Sequence, residues 1–368
     1  PTTPSTWPPR KPSTASAIEL DEGVRMKKIV WTGTKQVEIV ESEIPIPGPN
    51  QAVIQIKYAG ICGSDLHVFS GQHPTARPPM VLGHEAVGIL YAVHSDRTDI
   101  KVGDKVCTHT VEPCHACEAC CTGRENLCDN VKIMGTNLDG VFCQYVCVNA
   151  DRVIRFEDDV DDRIAALVEP LTVGVHDVRR SGLRLGENVL IGGAGPIGLI
   201  IGMTAKFAGA AHVVLSEIDP VRIKMARELG FTVADPNGTN FDAVCRANTE
   251  EKGFDRAFEI TSVQSSFTNL LRHLKKGGVI VQVGMPPKGT KFSVDLDKLI
   301  YSECEVRGVR HHTMNDMQMA AKIINSGVMN DVLQQLVSAV YPMEDCLSAF
   351  LRAGEDKTML RVLLDFTV

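Results

Sequence analysis

Two hydrophobic periods alternate along the chain, and the change from one to the other divides it. In the first part apolar residues recur at every second position. Lys28–Thr32 and Val37–Ile39 read as a short hairpin, broken by Pro45, Pro47, Gly48 and Pro49, and Ala52–Tyr58 reads as a half-buried strand. Further on, PPMVLGHEAVGIL reads as an apolar strand interrupted at Gly83-His84-Glu85. From Asn188 onward, continuous apolar runs alternate with stretches of helical period. Asn188–Gly193, His212–Leu215, Asp255–Glu259, Val279–Val283 and Cys304–Val309 predict strands. The run LIIGMTAKFAG, Arg222–Leu229 and Phe267–Leu274 predict helices, the last stopped by Gly277-Gly278. Strands alternating with helices predict a parallel, doubly wound sheet, with its ligand beyond the strand C-termini. Residues 313–368 return to mixed helix and strand.

Composition narrows the class. The chain has 368 residues, which favours two domains at about 100–200 residues each. Apolar content is 44% and charged content 23%, so a sizeable core is available. The net charge of −7, with no basic block, argues against nucleic acid as a partner. The longest uncharged stretch, Asn188 to Ala205, carries glycines and a proline that suit a buried strand and turn, not a membrane span. Several of the twelve cysteines sit in metal-ligand spacing or apolar runs, which favours a reducing compartment, the cytoplasm. Residues 1–25 stand apart: twelve of the first 17 are Pro, Ser or Thr. They read as a disordered tail or a cloning remnant, without the apolar core of a secretory signal.

Two residue patterns carry metal chemistry. Cys114, Cys117, Cys120 and Cys128 can close on one tetrahedral ion, and an all-cysteine zinc site without an open position is structural. Unrelated thiols or a disulfide pair rarely fall in this spacing; an iron–sulfur cluster could use similar ligands, but zinc is the better match. Cys121, beside the third ligand, could replace Cys120 only with a shifted turn. The second pattern is dispersed. Cys62 lies between small residues in AGICGSDLHVFSG, His84 interrupts an apolar strand, and Glu169 sits in the apolar run ALVEPLTVGVHDV, where a buried carboxylate wants a cation. Cys, His, one carboxylate and water make an open, catalytic type of zinc site.

A nucleotide signature follows. Gly193-Ala-Gly195-Pro-Ile197-Gly198 comes after a predicted strand and opens a helix, which lets a pyrophosphate approach the helix N-terminus. Glu217 ends the next strand, nineteen residues after Gly198, at the usual distance for an acid on the adenosine ribose. A carboxylate there repels a 2′-phosphate and favours NAD over NADP. Arg222 suits either stacking on adenine or a local salt bridge. The crevice beyond the strands would be lined by Thr261, Val283, Gly284 and Met285.

Taken together, GICGSDLH, GHEAVG, the four-cysteine loop and LVEPLTVGVH make the chain resemble the zinc-dependent medium-chain dehydrogenases from about Lys27 to the C-terminus. The resemblance is strongest to the sorbitol (polyol) and threonine dehydrogenase branch, because Glu169 stands where the alcohol dehydrogenase branch has a second cysteine. It implies a GroES-like β-barrel catalytic domain, residues 26–175 and 310–368, with a Rossmann domain, residues 176–309, inserted in it. It also implies Cys62, His84 and Glu85 as catalytic zinc ligands, Glu169 beside them, and Ser64 and His67 as a proton relay. The implied reaction is reversible oxidation of a secondary alcohol of a polyol or sugar-derived substrate, with two zinc ions per chain, NAD, and a homo-oligomer, tetramer or dimer. L-Threonine and sugar acids such as aldonates are the alternatives. The sorbitol enzymes carry an Arg-Tyr pair where this chain has GVRHHT, so Arg310, His311 and His312 become substrate candidates, the histidines either binding hydroxyls or facing a carboxylate as cations. Asn137 and Asp139, in MGTNLDG, are hydroxyl-binding candidates. A zinc-free quinone reductase would lack both metal sites, and a non-catalytic protein of the same fold would need neither them nor the glycine loop.

Overall fold

A computed structural model describes residues 25–368. The tail expected over residues 1–25 lies outside the described residues except for Arg25, which already belongs to a strand. That strand, Arg25–Gly33, pairs with Gln36–Glu43 as the expected antiparallel hairpin, and Met80–Val81 adds to its other edge.

A mixed seven-stranded sheet follows. Its central strand is Gln51–Ile61, and alternate positions Ala52, Ile54 and Ile56 pack on one core. One edge pairs with Glu85–His94; the other takes Tyr145–Asn149 along its first half and Arg361–Asp365 along its second. Val337–Pro342 then pairs in parallel with Arg361–Asp365. Residues more than three hundred positions apart in the chain are thus neighbours in one sheet. Phe142, Phe350 and Leu90 fill the core beneath.

The second sheet has six parallel strands in the order Thr232–Ala234, His212–Ser216, Asn188–Gly192, Phe254–Glu259, Leu274–Gln282, Glu305–Gly308. Val189 and Ile191 enter one apolar cluster and Leu190 another, so both faces are covered, as a parallel sheet requires. Strand order reverses at Asn188–Gly192, the place at which doubly wound sheets bind their ligands. One expectation fails here. The helix over 267–274 runs from Gln264 to His273, and Gly277-Gly278 do not stop it. They lie inside the strand Leu274–Gln282, in a register shift where Phe254 and Arg256 pair with Leu274 and Val279. Glycine pairs mark bulges as well as helix ends, and pattern alone does not separate the two.

The helix Val168–Ser181 joins the halves. It packs on Pro196–Phe207 from the parallel sheet and on Met314–Asn325. Pro170 falls in its first turn, where a missing N–H costs nothing. Glu169 precedes it, in the turn whose free N–H groups favour a carboxylate. No helix among the described residues is long and apolar enough to cross a membrane.

Candidate active site

Cys62, His84 and Glu85 offer ligand atoms within 4.8 Å of one another. Sheet pairing brings them together: Cys62 follows directly on the strand Gln51–Ile61, and Glu85 opens the adjacent strand, opposite Gly60. A Cβ on Gly60 would stand 2.5 Å from Glu85 Oε2, so only glycine leaves room for the carboxylate.

Asp65, which carries no motif of its own in the sequence, ties the cluster together. It is buried; its Oδ2 accepts from the Cys62 N–H at 2.9 Å and its Oδ1 from the Gly83 N–H at 3.1 Å. Oδ1 also lies 3.5 Å from His84 Nδ1. Burial alone would lower the His84 pKa, but Asp65 and Cys62 outweigh it and raise the imidazole well above its ordinary value. This surplus of negative charge suits a dication in the proton's place. Ser64 is also here, with Oγ 3.4 Å from His84 Nε2. His67, one helical turn on, is exposed and faces Gln72 Oε1 at 3.5 Å.

Glu85 is fully buried and its charge is answered by Arg361, whose Nη1 donates to both carboxylate oxygens at 2.9 and 3.2 Å. Arg361 Nε and Nη2 have no hydrogen-bond partner, so the guanidinium serves the cluster through charge as well as contact. Burial raises the Glu85 pKa; Arg361 opposes that, Glu169 adds to it, and the net shift is upward. Glu169 goes the other way. Burial would raise it, but the hydrogen bond from His312 and the positive charge gathered around it, Arg361 included, prevail and hold it below the usual range.

The substrate candidates separate. His312 is buried, with Nε2 3.0 Å from Glu169 Oε1 and Nδ1 3.0 Å from His109 Nε2. Both nitrogens are engaged, so it does not face a substrate as a free cation. His311 is held at about 4 by burial, then by Arg310 and His312, and is uncharged at neutral pH. As a neutral ring it is suited to hydrogen bonding with hydroxyls, while the exposed Arg310 carries the positive charge of this segment. Asn137 Oδ1 accepts from the Ile133 N–H and closes its own loop, and Asp139 Oδ1 accepts from the Val81 N–H and ties that loop to the strand Met80–Val81.

Cys114, Cys117, Cys120 and Cys128 converge within the same 4.8 Å limit, and the exposed Cys121 turns instead toward the Ala116 carbonyl. Cys120 is therefore the third member. The N–H groups of Cys114 and Asn130 point at Cys128 Sγ at 3.2 and 3.3 Å. N–H groups of Ala116 and Cys117 lower the Cys114 thiol to about 6, the ionised form that zinc takes. Cys120 is held at about 12 by burial and by Cys117 and Cys128, and keeps its proton until a cation replaces it. The donor set fits a closed zinc site.

At the parallel sheet, a Cβ on Gly198 would lie 2.2 Å from the Gly193 carbonyl oxygen, so loop and helix touch backbone to backbone. Glu217 is packed against this loop: Oε2 accepts from the Ala194 N–H at 2.8 Å, and Oε1 from the N–H groups of Ile218 and Asp219 at 2.8 and 3.0 Å. The Arg222 guanidinium reaches Gly195, Ile197 is half-buried in the first helical turn, and Thr261 Cγ2 lies against Gly193. Val283 and Gly284 follow the end of the fifth strand; Met285 is 82% exposed. Glu259 went unnoticed in the sequence. It accepts from Thr261, Ser262 and Gln282, and so shapes the crevice from beneath.

The description "Alcohol dehydrogenase GroES-like domain" matches residues 48–158, and "Zinc-binding dehydrogenase" matches residues 196–326. L-galactonate-5-dehydrogenase of Escherichia coli is 34% identical over 302 residues, covering 82% of this chain and 85% of that protein. L-threonine 3-dehydrogenase of Sinorhizobium fredii is 35% identical over 290 residues, covering 77% and 83%. The crystal structure of L-idonate 5-dehydrogenase from Escherichia coli superposes with a TM-score of 0.83 at 32% identity, over 93% of this chain and 99% of that one. With a GroES-like part, a parallel dinucleotide-type sheet and relatives aligned across both, the chain belongs to the zinc-dependent medium-chain dehydrogenases.

Proposed function

We propose that this protein catalyses reversible, NAD-linked oxidation of a secondary alcohol on a sugar-derived, polyhydroxylated substrate, with a sugar acid as the preferred class. The convergence of Cys62, His84 and Glu85 beside Glu169 carries this reading. Zinc held by Cys62, His84 and Glu85 would supply Lewis acidity toward a substrate hydroxyl, and NAD the hydride acceptor. Ser64, beside His84, would relay the hydroxyl proton, and the exposed His67 would pass it to water. Arg361 balances the charge of Glu85, and Asp65 fixes Cys62 and His84. Glu217 and the loop Gly193–Gly198 would seat the ribose and pyrophosphate, with Thr261, Val283 and Gly284 along the nicotinamide side and Met285 at the rim. Cys114, Cys117, Cys120 and Cys128 would hold a second, structural zinc.

The division of labour follows the sheets: residues 26–175 with 310–368 for catalysis, 176–309 for the nucleotide. Two relatives are named for sugar acids, and the exposed Arg310 offers a charge for a carboxylate. Twelve free thiols suit a reducing cytoplasm, and we take the working form to be a homo-oligomer. The test is NADH formation measured over L-galactonate, L-idonate, hexitols, inositols and L-threonine. Turnover of the aldonates well above the rest is expected; activity confined to L-threonine would overturn the substrate class. Cys62→Ser should abolish turnover and leave NAD binding intact.

A further inference from the structure

Glu169 is approached from behind by a row of buried polar side chains that starts in the four-cysteine lobe. Glu125, three residues before Cys128, accepts from Arg152 Nη1 and Nη2 through Oε2, both at 2.9 Å, and from the Met314 N–H through Oε1 at 2.6 Å. Arg152 Nη1 lies 3.5 Å from His109 Nδ1, His109 Nε2 3.0 Å from His312 Nδ1, and His312 Nε2 3.0 Å from Glu169 Oε1. Arg152, His109 and His312 are each at most 3% exposed. The neighbouring Asn126 adds a second tie, donating to the Arg310 carbonyl at 2.9 Å.

The chemistry of the two ends sets the direction. An ionised carboxylate only accepts, so His312 Nε2 carries a proton; in the neutral ring its Nδ1 then accepts from His109 Nε2–H. That leaves a lone pair on His109 Nδ1, facing a guanidinium that only donates. Burial, then His312 and Arg152, keep His109 neutral, as this arrangement requires. From Arg152 inward every bond then points toward Glu169, and the row begins at an arginine that is held by Glu125 and cannot give up its proton. It therefore cannot drain protons to solvent; it can only hold the carboxylate. An apolar core of the same shape would be as stable or more so, which makes stability alone a poor account of four buried polar groups.

We propose that His109 and His312 are positioning residues, forming with Arg152 a one-way donor row, anchored on Glu125 of the four-cysteine lobe, that fixes the orientation of Glu169 for hydride transfer. This rests on the reading of Glu169 as an active-site carboxylate. The experiment compares His109→Leu with His109→Gln in the full-length enzyme, with Glu169→Gln alongside. The glutamine keeps an N–H near the Nε2 position; the leucine fills the space without one. His109→Leu should lower kcat about tenfold with KM changed by less than about twofold, and His109→Gln should recover most of it. Equal losses of kcat in both, tracking the loss of Tm, would overturn the proposal, as would wild-type kcat in the leucine variant. If His109→Leu does not fold, Glu125→Gln and His109→Asn, whose shorter amide does not reach His312 Nδ1, decide, singly and combined. Effects on kcat that fail to multiply are expected of one row, and independent effects overturn it. Unchanged turnover in Glu169→Gln would instead remove the reading of the site.

Discussion

Glu85 and Arg361 show at one contact what it takes to keep a charge at the centre of a protein. Each is almost completely buried, and the guanidinium is the only cation hydrogen-bonded to that carboxylate among the described residues. Removing one member of a buried pair strands the other at about 3–5 kcal/mol. Arg361→Leu is therefore expected to lower Tm steeply and to weaken metal retention, measured by calorimetry and elemental analysis. Asp316 gives the matching case for pH. Burial would raise its pKa, but His176 Nδ1 at 2.8 Å and the Thr313 hydroxyl and N–H at 2.7 and 3.0 Å hold it well below the carboxylate range. A depressed carboxyl contributes stability above its unfolded pKa and loses it as pH falls. Asp316→Asn should thus cost about 2 kcal/mol at neutral pH. The gap from wild type should close as denaturation is repeated below about pH 4. Neither Arg361 nor Asp316 could be read from the sequence. Arg361 meets Glu85 across 276 positions, and a lone charge in an apolar strand carries no spacing signal.

At the level of elements, legibility follows locality. The glycine loop, the strand before it and the acid after it form one strand–turn–helix unit, and all were readable, as were four cysteines inside one loop. Cys62 and His84 were readable because each stands in a distinctive short run. His312 stands out in the sequence for a different role, contact with substrate. Its partners, His109 and Glu169, come from a strand end and a helix start that only the fold brings together. The role of Glu217 can be tested at this scale. Its carboxylate bridges the glycine loop and the turn after the second strand. Glu217→Gln should raise the KM for NAD about tenfold, the worth of one charged hydrogen bond, and narrow the preference over NADP. Equal use of both nucleotides by the wild type would contradict the choice of NAD.

Across the whole molecule, the two candidate metal sites follow different logic. The four-cysteine set is local, closed and all sulfur; the Cys62–His84–Glu85 set is mixed and draws on two strands and a distant arginine. Elemental analysis should find two zinc ions per chain. A mild chelator should remove the ion of the open site first, and activity should fall in step with that loss. A fully loaded preparation with one zinc per chain would contradict the two-site assignment.

The strand Arg361–Asp365 lies between Gln51–Ile61 and Val337–Pro342, and it delivers Arg361 to Glu85. During synthesis this piece emerges long after the strand Gln51–Ile61, so the early strands must wait with one edge open. The parallel sheet can close meanwhile, since all six of its strands precede Val309. A ribosome that stalls before residue 361 therefore yields a chain with a finished nucleotide half, an unpaired strand edge and an acid lacking its counter-ion. Premature termination would in this way couple an open strand edge, the kind that pairs with other chains, to an incomplete centre.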